Sequence, residues 1–395
     1  MEKITSVYLD NAATTPLSSE VYKEMLTALS DTYGNASSMY QKGREADEAL
    51  SEARSKVAKA IGANPSEIYF TSCGSESNNW AIKGIARANK SKGNHIITSA
   101  IEHPSVLESC KALEKEGFEV TYIPVDSKGV VDYTEIVKAI KPETILISIM
   151  SANNEVGTIQ PIRAISELAK MNEIPFHTDA VQAIGTIPFN VHEMNITSLS
   201  LSAHKFGGPK GIGVLYVKRG TKIEKFIDGG QQERNLRAGT SNVPAAVGLG
   251  KAIEIAVENL EENNKKLKAI RKYFLKEVSD RIHNISLNGH PTQRLLNNVN
   301  ISFEGVEGEA LLMMLDRSGV YVSTGSACAS GSLEPSHVLL AMGLDNEIAQ
   351  SSIRFTFSPN TTTAEIDYAV NALYKAVKKV RSISAIRIYK NKVEL

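Results

Sequence analysis

Cysteines are scarce in this chain of 395 residues, and its positive and negative charges cancel. The three cysteines, Cys73, Cys110 and Cys328, are too few for a disulfide framework, so we expect a reducing, cytoplasmic environment. No Cys-x-x-Cys pair or Cys/His cluster occurs in the sequence, so no metal site is expected. Lysine and arginine together number 44, as do aspartate and glutamate, which argues against direct binding to nucleic acid or to a membrane surface.

Long apolar runs are also missing, so no membrane-spanning helix is expected. The beginning, MEKITSVYLDNAATTP, lacks the charged and then apolar regions of a signal peptide, so none is expected. The composition, 42% apolar and 22% charged, is ordinary for a globular protein, and the length suffices for two structural domains.

Short β-rich runs alternate with helical stretches in the first half of the chain. Strands are predicted at IYFTS, HIITSA, FEVTYIP, TILISIM and IPFHTDA, with helices over 76–89 and 103–116. SLSLSAH and GIGVLYV, joined by a glycine-rich turn, are expected to pair as neighbours. The alternation predicts an α/β fold with a mainly parallel sheet and helices on both faces.

The second half of the chain has a different pattern. Residues 242–281 are predicted to form one long helical region that connects two domains. Beyond it, strand-like NVNISF, GVYVS and SIRFTFS are interspersed with helical GEALLMMLD and a final helix over 363–380. This tail predicts a smaller α+β domain.

The stretch SLSLSAHKFGGPKGIGVLYV places Lys205 at the start of a glycine-rich turn. A lysine amine forms a Schiff base with an aldehyde, and pyridoxal phosphate (PLP) is the commonest such cofactor, whereas a surface lysine in a turn is the alternative. Asp179, at the end of IPFHTDA, is expected to face the pyridine nitrogen, although it also suits a helix N-cap. Gln182, about one helical turn later, is placed to reach the ring hydroxyl.

Further residues suit the phosphate and the ring of this cofactor. In TSCGSESNNWAIKG, Gly74 and Ser75 lie between a strand and a helix, where backbone N–H groups bind phosphate, although Ser75 also suits simple capping. Ser202 and His204 flank the lysine and are expected to add hydrogen bonds. His103 follows HIITSA, where it is expected to stack on the ring and shuttle protons, with helix capping as the alternative.

A second reactive centre is predicted at Cys328, in VSTGSACASGSLEPSHVL. Almost no apolar side chain occurs over 323–332, so we expect an exposed loop and a reactive thiol, whereas Cys110 lies in a helical stretch and is expected in the core. Arg354 in SIRFTFS either snorkels or binds an anion such as a substrate carboxylate. Asn154, after TILISIM, is expected to contact substrate and cofactor, with turn formation as the alternative.

Long motifs along nearly the whole chain resemble the cysteine desulfurases of the NifS/IscS type. They are YLDNAATTP, YGNASSMYQKGREA, TSCGSESNNWAIKG, EHPSV, SANNEVGTIQP, HTDAVQAIG, SAHKFGGPKGIG, GGQQERNLRAGTSNV, STGSACASGSLEPSHVLLAMG and SIRFTFSPNTT. The resemblance implies a class V aminotransferase-like, fold-type I PLP-dependent transferase. Its large domain, over 15–254, would hold a mainly parallel seven-stranded sheet. Its smaller α+β domain, from 1–14 and 255–395, would carry the cysteine loop at about 323–335.

The same resemblance implies a homodimer that converts L-cysteine to L-alanine and places the sulfur on Cys328 as a persulfide. That sulfur would pass to an acceptor protein for iron–sulfur clusters or for thiolated cofactors and tRNA. Lys205 would be the Schiff-base lysine, His103 the acid/base, and Thr240 a phosphate contact to the cofactor of the other subunit. The other implied cofactor contacts are Gly74, Ser75, Asn154, Asp179, Gln182, Ser202 and His204, and the implied substrate contacts are Asn154 and Arg354.

Two other functions stay open on the sequence alone. An aminotransferase or a selenocysteine lyase would use the same cofactor and a similar fold, but a transaminase needs no thiol such as that of Cys328. A sulfur-relay or assembly partner that keeps PLP only as structure would not turn over free cysteine. The identity of the sulfur acceptor, and scaffold docking by the short tail IRIYKNKVEL, stay open as well.

Overall fold

Seven strands between Ile68 and Val217 form the central sheet of the protein. The structure is a computed structural model that describes residues 4–324, 334–383 and 393–394. Across the sheet the strands are β2 (Ile68–Thr71), β8 (Gly213–Val217), β7 (Ser198–Ser202), β6 (Phe176–Asp179), β5 (Thr144–Ser148), β3 (His95–Ser99) and β4 (Glu119–Ile123). Of these seven, β8 alone runs antiparallel to its neighbours, so the predicted α/β class and mainly parallel sheet are confirmed.

Helices cover both faces of this sheet. Ile96 and Ile97 are neighbours in β3, so their side chains point to opposite faces, and they belong to different hydrophobic clusters. The Ile96 cluster includes residues of α3 (Gly74–Ala88) and α4 (Pro104–Lys115), whereas the Ile97 cluster includes residues of α6 (Ile162–Met171). Because both faces are covered, β3 and β5 to β8 are buried along their whole length.

A second sheet, formed mostly by the C-terminal part of the chain, contains β12 (Ser352–Thr356), β10 (Asn298–Phe303), β9 (Ile285–Asn288) and β13 (Val393–Glu394) in that order. The first three pair antiparallel, and Phe274 packs on Phe355 with ring centroids 4.9 Å apart. The N-terminal strand β1 (Val7–Tyr8) pairs with β11 (Val320–Tyr321) beside this sheet. The expected smaller α+β unit is therefore present, while the boundaries 15–254 and 1–14 with 255–395 stay predictions.

The predicted long helix over 242–281 is wrong in one respect. The chain forms two helices, α7 (Val243–Glu258) and α8 (Leu260–Arg281), which meet at Asn259. The Asn259 side chain donates to the carbonyl of Ile255 at 2.9 Å, and such side-chain bonds compete with helix continuation. The other helices of five or more residues in the described part of the chain are α1 (Ser19–Ser30), α2 (Gln41–Ile61), α5 (Tyr133–Ala139), α9 (Gly308–Arg317), α10 (His337–Ala341), α11 (Asn346–Gln350) and α12 (Thr363–Ile383). None of the helices in the described ranges is long and apolar enough to cross a membrane.

His177 lies inside the central sheet, with Ser148 Oγ and Ser200 Oγ at 2.8 and 3.0 Å from its ring nitrogens. Burial lowers the pKa of this imidazole to about 3, from about 6.5 in an unfolded chain. Below pH ~6.5 the unfolded state therefore binds one more proton here than the folded state. Burying the neutral imidazole therefore costs no stability above the pKa of the unfolded chain. As the pH falls from there toward the pKa of the folded protein, the free energy of unfolding decreases.

We predict that His177→Gln flattens the pH dependence of stability. Between the two pKa values, the parent protein should lose about 1.4 kcal/mol of unfolding free energy per pH unit more than the variant. Urea unfolding of both proteins, measured from neutral pH down to about pH 4.5, tests this. Equal slopes for the two proteins would contradict the prediction.

Candidate active site

A cavity of about 370 Å³ lies where the carboxyl ends of the parallel strands meet, as expected for an α/β sheet. Of the residues singled out in the sequence, it is lined by Gly74, Ser75, His103, Asn154, Asp179, Gln182, Ser202, His204, Lys205 and Arg354. Thr240 lines a separate surface cavity of about 220 Å³, and Cys328 lies outside the described residues. All the predicted site residues except Thr240 and Cys328 therefore line one cavity.

Lys205 reaches the cavity from a short 3₁₀ turn, Ala203–Lys205, that directly follows β7. Its Nζ donates hydrogen bonds to the carbonyls of Ala12 and Ala13 at 2.5 and 2.9 Å. Gly208 is needed for space, because a Cβ there would lie 2.8 Å from the Ala203 carbonyl oxygen, whereas Gly207 adopts a positive φ of 83°. The glycine-rich turn thus folds tightly back and holds the amine against the N-terminal segment.

Asp179 ends β6, and its carboxylate is buried at the cavity wall. One oxygen accepts from the backbone N–H of Val181 at 2.9 Å, but residues 181–186 form turns rather than a helix, so the helix N-cap alternative is wrong. The other accepts from Asn78 Nδ2 at 2.6 Å. Sequence reasoning missed Asn78, although its position in GSESNN, one turn into α3, was the available signal. Two donors therefore fix the orientation of this carboxylate.

The N-terminus of α3 forms a cradle that suits an anion. A Cβ at Gly74 would lie 2.7 Å from Val181 Cγ2, so only glycine leaves the first turn of the helix open. The Ser202 hydroxyl oxygen is buried and has no hydrogen-bond partner in the described protein. Free N–H groups at a helix start and an unpartnered hydroxyl fit a phosphate group. Together with the lysine and the carboxylate, these groups fit PLP.

Two histidines of the cavity are held in the neutral form. His103 caps α4, with Nδ1 accepting from the backbone N–H of Ser105 at 3.1 Å, and burial lowers the pKa of its imidazole. Burial, followed by the charge of Lys205, lowers the pKa of His204 to about 4. The His103 capping alternative is thus observed in a side chain that also lines the cavity.

Of the two alternatives for Arg354, snorkelling or anion binding, the structure shows anion binding. The anion is a carboxylate of the protein itself. Arg354 Nη2 donates to Asp10 Oδ1 at 2.7 Å, and Nη1 donates to the Asn154 carbonyl at 3.0 Å. Turn formation is the alternative role for Asn154, but Asn153 fills it: its Oδ1 accepts from the backbone N–H of Glu155 at 2.8 Å. The Asn154 side chain therefore remains available to the cavity that it lines.

Two further predicted positions have clear surroundings. Gln182 Nε2 donates to the Ala12 carbonyl at 3.0 Å, the same carbonyl that accepts from Lys205. Cys110 is buried in the core, where burial raises the pKa of its thiol to about 12. Among the described residues, no group of three or more His, Cys, Asp or Glu side chains is arranged to hold a metal ion.

A left-handed turn that the sequence did not reveal lies before Thr240. Glu233, Arg234 and Asn235 have φ values of 44, 56 and 65°, a conformation that disfavours residues other than glycine. Arg54 holds this turn with two hydrogen bonds to the Glu233 carboxylate, at 2.8 and 2.9 Å. Nothing in the local sequence indicates this partner, which lies 179 residues away.

Arg237 ties the following segment to the phosphate cradle. Its Nε donates to Glu76 Oε1 at 2.9 Å, and Glu76 Oε2 accepts from the backbone N–H of Ser72 at 2.8 Å. Glu76 lies in the first turn of α3, close to Gly74. The segment that carries Thr240 and the start of α3 are therefore held in a fixed relation.

Comparison with known proteins identifies the family. The aminotransferase class-V family matches residues 7–369, and the chain belongs to this family. Cysteine desulfurase IscS of Dictyoglomus turgidum is 55% identical over 378 residues, covering 96% of each chain. Cysteine desulfurase IscS of Methanosarcina thermophila is 53% identical over 381 residues, covering 96% of this chain and 94% of that protein.

Solved structures agree with this assignment. A NifS-like protein has a TM-score of 0.90 at 41% identity, covering 95% of this chain and 100% of that one. The structure described as SspA in complex with cysteine has a TM-score of 0.80 at 38% identity, covering 90% of this chain and 99% of that one. The expected fold-type I architecture is confirmed, and members of the class V family use PLP.

We predict that Glu233→Gln destabilises the protein by about 3–5 kcal/mol, because Arg54 would remain buried without its counter-charge. The side chains of this pair are only 5% and 13% exposed. Glu116→Gln is the matched control, since it breaks an Arg87–Glu116 pair whose side chains are 41% and 37% exposed. That change should cost about 1 kcal/mol or less. Urea unfolding measures both variants, and similar losses would contradict the role of the buried pair.

Proposed function

We propose that this chain is a PLP-dependent cysteine desulfurase that converts L-cysteine to L-alanine and places the sulfur on Cys328 as a persulfide. The observation that carries the proposal is the common cavity of Lys205, Asp179 and Arg354, which combines a cofactor amine, a ring carboxylate and a carboxylate-binding cation. Relatives named cysteine desulfurase at 55% and 53% identity support the reaction.

The residues of the cavity divide the work of holding the cofactor. When bound, PLP withdraws electrons from the α-carbon of an amino acid substrate. Lys205 would hold its aldehyde carbon and then take the α-proton of the substrate at Nζ. Asp179 would keep the ring nitrogen protonated, and the α3 N-terminus with Ser202 would bind the phosphate. The Ala12 and Ala13 carbonyls, which accept from Lys205 Nζ, steady the amine.

The substrate is held and prepared by three further groups. Arg354 binds the cysteine carboxylate, and Asn154 binds next to it, since both line the cavity. His103 takes the thiol proton of the substrate at its imidazole. Burial lowers the pKa of this imidazole, which favours its neutral form at neutral pH. The lone pair that would take the proton is that of Nδ1, after Nδ1 gives up the N–H of Ser105.

Cys328 is within chain reach of this cavity. Ser323 pairs with Arg354 through backbone hydrogen bonds of 2.7 and 3.3 Å, and Cys328 is five residues further along the chain. Five residues of fully extended chain span about 18 Å at most. This connection supports Cys328 as the thiol that meets a substrate held by Arg354.

The sulfur step balances without an added oxidant. The Cys328 thiolate attacks the substrate sulfur, and a sulfur–sulfur bond forms while the carbon–sulfur bond breaks. The electron pair of the broken bond stays on the β-carbon, which takes up a proton and becomes the methyl group of alanine. The persulfide then passes its outer sulfur to an acceptor protein that serves iron–sulfur clusters or thiolation.

A homodimer fits the surface of the molecule. Tyr22, Leu26 and Leu29 follow each other on one face of α1 and are 56%, 52% and 60% exposed. Such an apolar surface suits a second copy of the chain. Thr240, which lies outside the cavity of its own chain, would then contact the cofactor phosphate of the partner. Sedimentation of the holoenzyme tests this, because a monomer would leave that contact unmade.

The free thiols of Cys73 and Cys110 fit a reducing, cytoplasmic location. There the acceptor would be a soluble protein rather than nucleic acid or a membrane, in keeping with the zero formal net charge. A fusion to a fluorescent protein, viewed in the source cell, tests the location, and a signal confined to the envelope would contradict it.

Turnover of L-cysteine by the purified holoenzyme with a reductant should yield alanine and sulfide in equal amounts. A keto acid in place of alanine would indicate lyase or transaminase chemistry instead.

Cys328→Ser should keep the absorption spectrum of the bound cofactor but reduce sulfide production by a factor of about 10³ or more. The control is Cys73→Ser, since this thiol also lines the cavity and should be dispensable. Sulfide formation that survives Cys328→Ser but is lost in Cys73→Ser would contradict the proposal, because it would identify Cys73 as the nucleophile.

A further inference from the structure

Arg354 is almost wholly buried and is already paired with a carboxylate of the protein before any substrate binds. Its side chain is 4% exposed, and its Nη2 donates to Asp10 at 2.7 Å. Its Nε is buried and has no hydrogen-bond partner in the described protein. The guanidinium therefore has unused donor capacity, but its charge is balanced by the protein itself.

The backbone holds Asp10 at this place. Residue 10 forms a parallel bridge with Thr356, and the Thr356 N–H donates to the Leu9 carbonyl at 2.7 Å. Arg354 lies two residues before Thr356 in the same buried strand. The two charged side chains are thus fixed by neighbouring strands rather than by their mutual attraction alone.

Asp10 is the counter-ion of Arg354, although a second carboxyl group lies near. Glu155 is buried, and burial raises the pKa of its carboxyl, which favours the uncharged form. The Ser336 hydroxyl already donates to Glu155. Tyr8 also faces the pair, and burial followed by the Asp10 charge raises the pKa of its phenol. Hence the negative charge next to the arginine is that of Asp10.

We propose that Asp10 acts through Arg354 as its built-in counter-ion: its charge weakens the binding of amino-acid carboxylates by the guanidinium. The inference rests on the proposed role of Arg354 in binding the substrate carboxylate. When that carboxylate docks, two anions share one cation, and their repulsion limits affinity. The consequence for the reaction is that alanine, which keeps the same carboxylate, leaves the site readily.

Removing the charge of Asp10 has two opposite consequences. A buried cation without a counter-ion attracts an incoming carboxylate more strongly, but it also makes the free protein less stable. The arginine should stay in place, because its Nη1 still donates to the Asn154 carbonyl at 3.0 Å and its backbone still pairs with Ser323. Tighter carboxylate binding together with lower stability is a combination that simple loss of structure does not produce.

The test is a visible-absorption titration of the holoenzyme with L-alanine and with ethylamine, which differ only in the carboxylate. We expect Asp10→Asn to lower the Kd for L-alanine by roughly tenfold and to leave the Kd for ethylamine unchanged. Asp10→Ser removes the same charge with a smaller side chain and should shift the Kd for L-alanine in the same direction. An unchanged Kd for L-alanine, or equal shifts for both amines, would overturn the inference.

Two controls isolate the charge. Asp10→Glu keeps it, so the Kd for L-alanine should not fall. Glu116→Gln removes a carboxylate from Arg87, which it meets at 2.6 Å on the surface, and should change neither Kd. A fall in the Kd for L-alanine with either control would assign the effect to something other than the Asp10 charge.

Arg354→Gln separates failure of this inference from failure of the proposed function. If Arg354 binds the carboxylate, this variant raises the Kd for L-alanine much more than that for ethylamine. A selective effect of Arg354→Gln without a selective effect of Asp10→Asn would overturn the role of Asp10 alone. Equal effects of Arg354→Gln on both amines would remove the substrate role of Arg354, and the inference about Asp10 with it.

Discussion

Lys205 follows β7 of the central sheet, Arg354 lies in β12 of the second sheet, and the short segment over 10–15 contacts both. At one end Asp10 and Asn11 bond to the second sheet, the latter through Nδ2 to the Thr356 carbonyl at 2.7 Å. At the other end the carbonyls of residues 12 and 13 accept from Lys205, and the hydroxyl of Thr15 donates to the His204 carbonyl at 3.0 Å. This segment therefore helps to set the distance between the cofactor amine and the substrate cation, together with the hydrogen bond from Arg354 to the Asn154 carbonyl.

The charges around the cavity follow from the same arrangement. The neighbours of Lys205 are backbone carbonyls and two histidines whose pKa values burial lowers. These imidazoles are therefore neutral and do not repel the lysine amine. Arg354 is balanced by Asp10, and the segment bearing Thr240 is fixed by ion pairs from Arg54 and Arg237. The site is thus assembled from side chains whose charge states and positions are set by the protein before ligand arrives.

Those parts of the site whose signal is local were predictable from the sequence. The lysine in its glycine turn, the glycine at the start of α3 and the aspartate at a strand end all lie in short motifs, and the alternation of elements predicted the sheet. Asp10 and Glu233 were not predicted as partners, because their arginines lie 344 and 179 residues away and local spacing does not encode such pairs. The break at Asn259 was missed because asparagine alone is a weak signal: Asn263 and Asn264, only a few residues later, lie inside the second helix.

The most direct test of the central claim is to treat the holoenzyme with one equivalent of L-cysteine without reductant and to examine its peptides by mass spectrometry. The account predicts that the peptide containing Cys328 gains one sulfur atom while an equal amount of alanine is released. Alanine release with the added sulfur on Cys73, or an unmodified Cys328 after complete turnover, would contradict it.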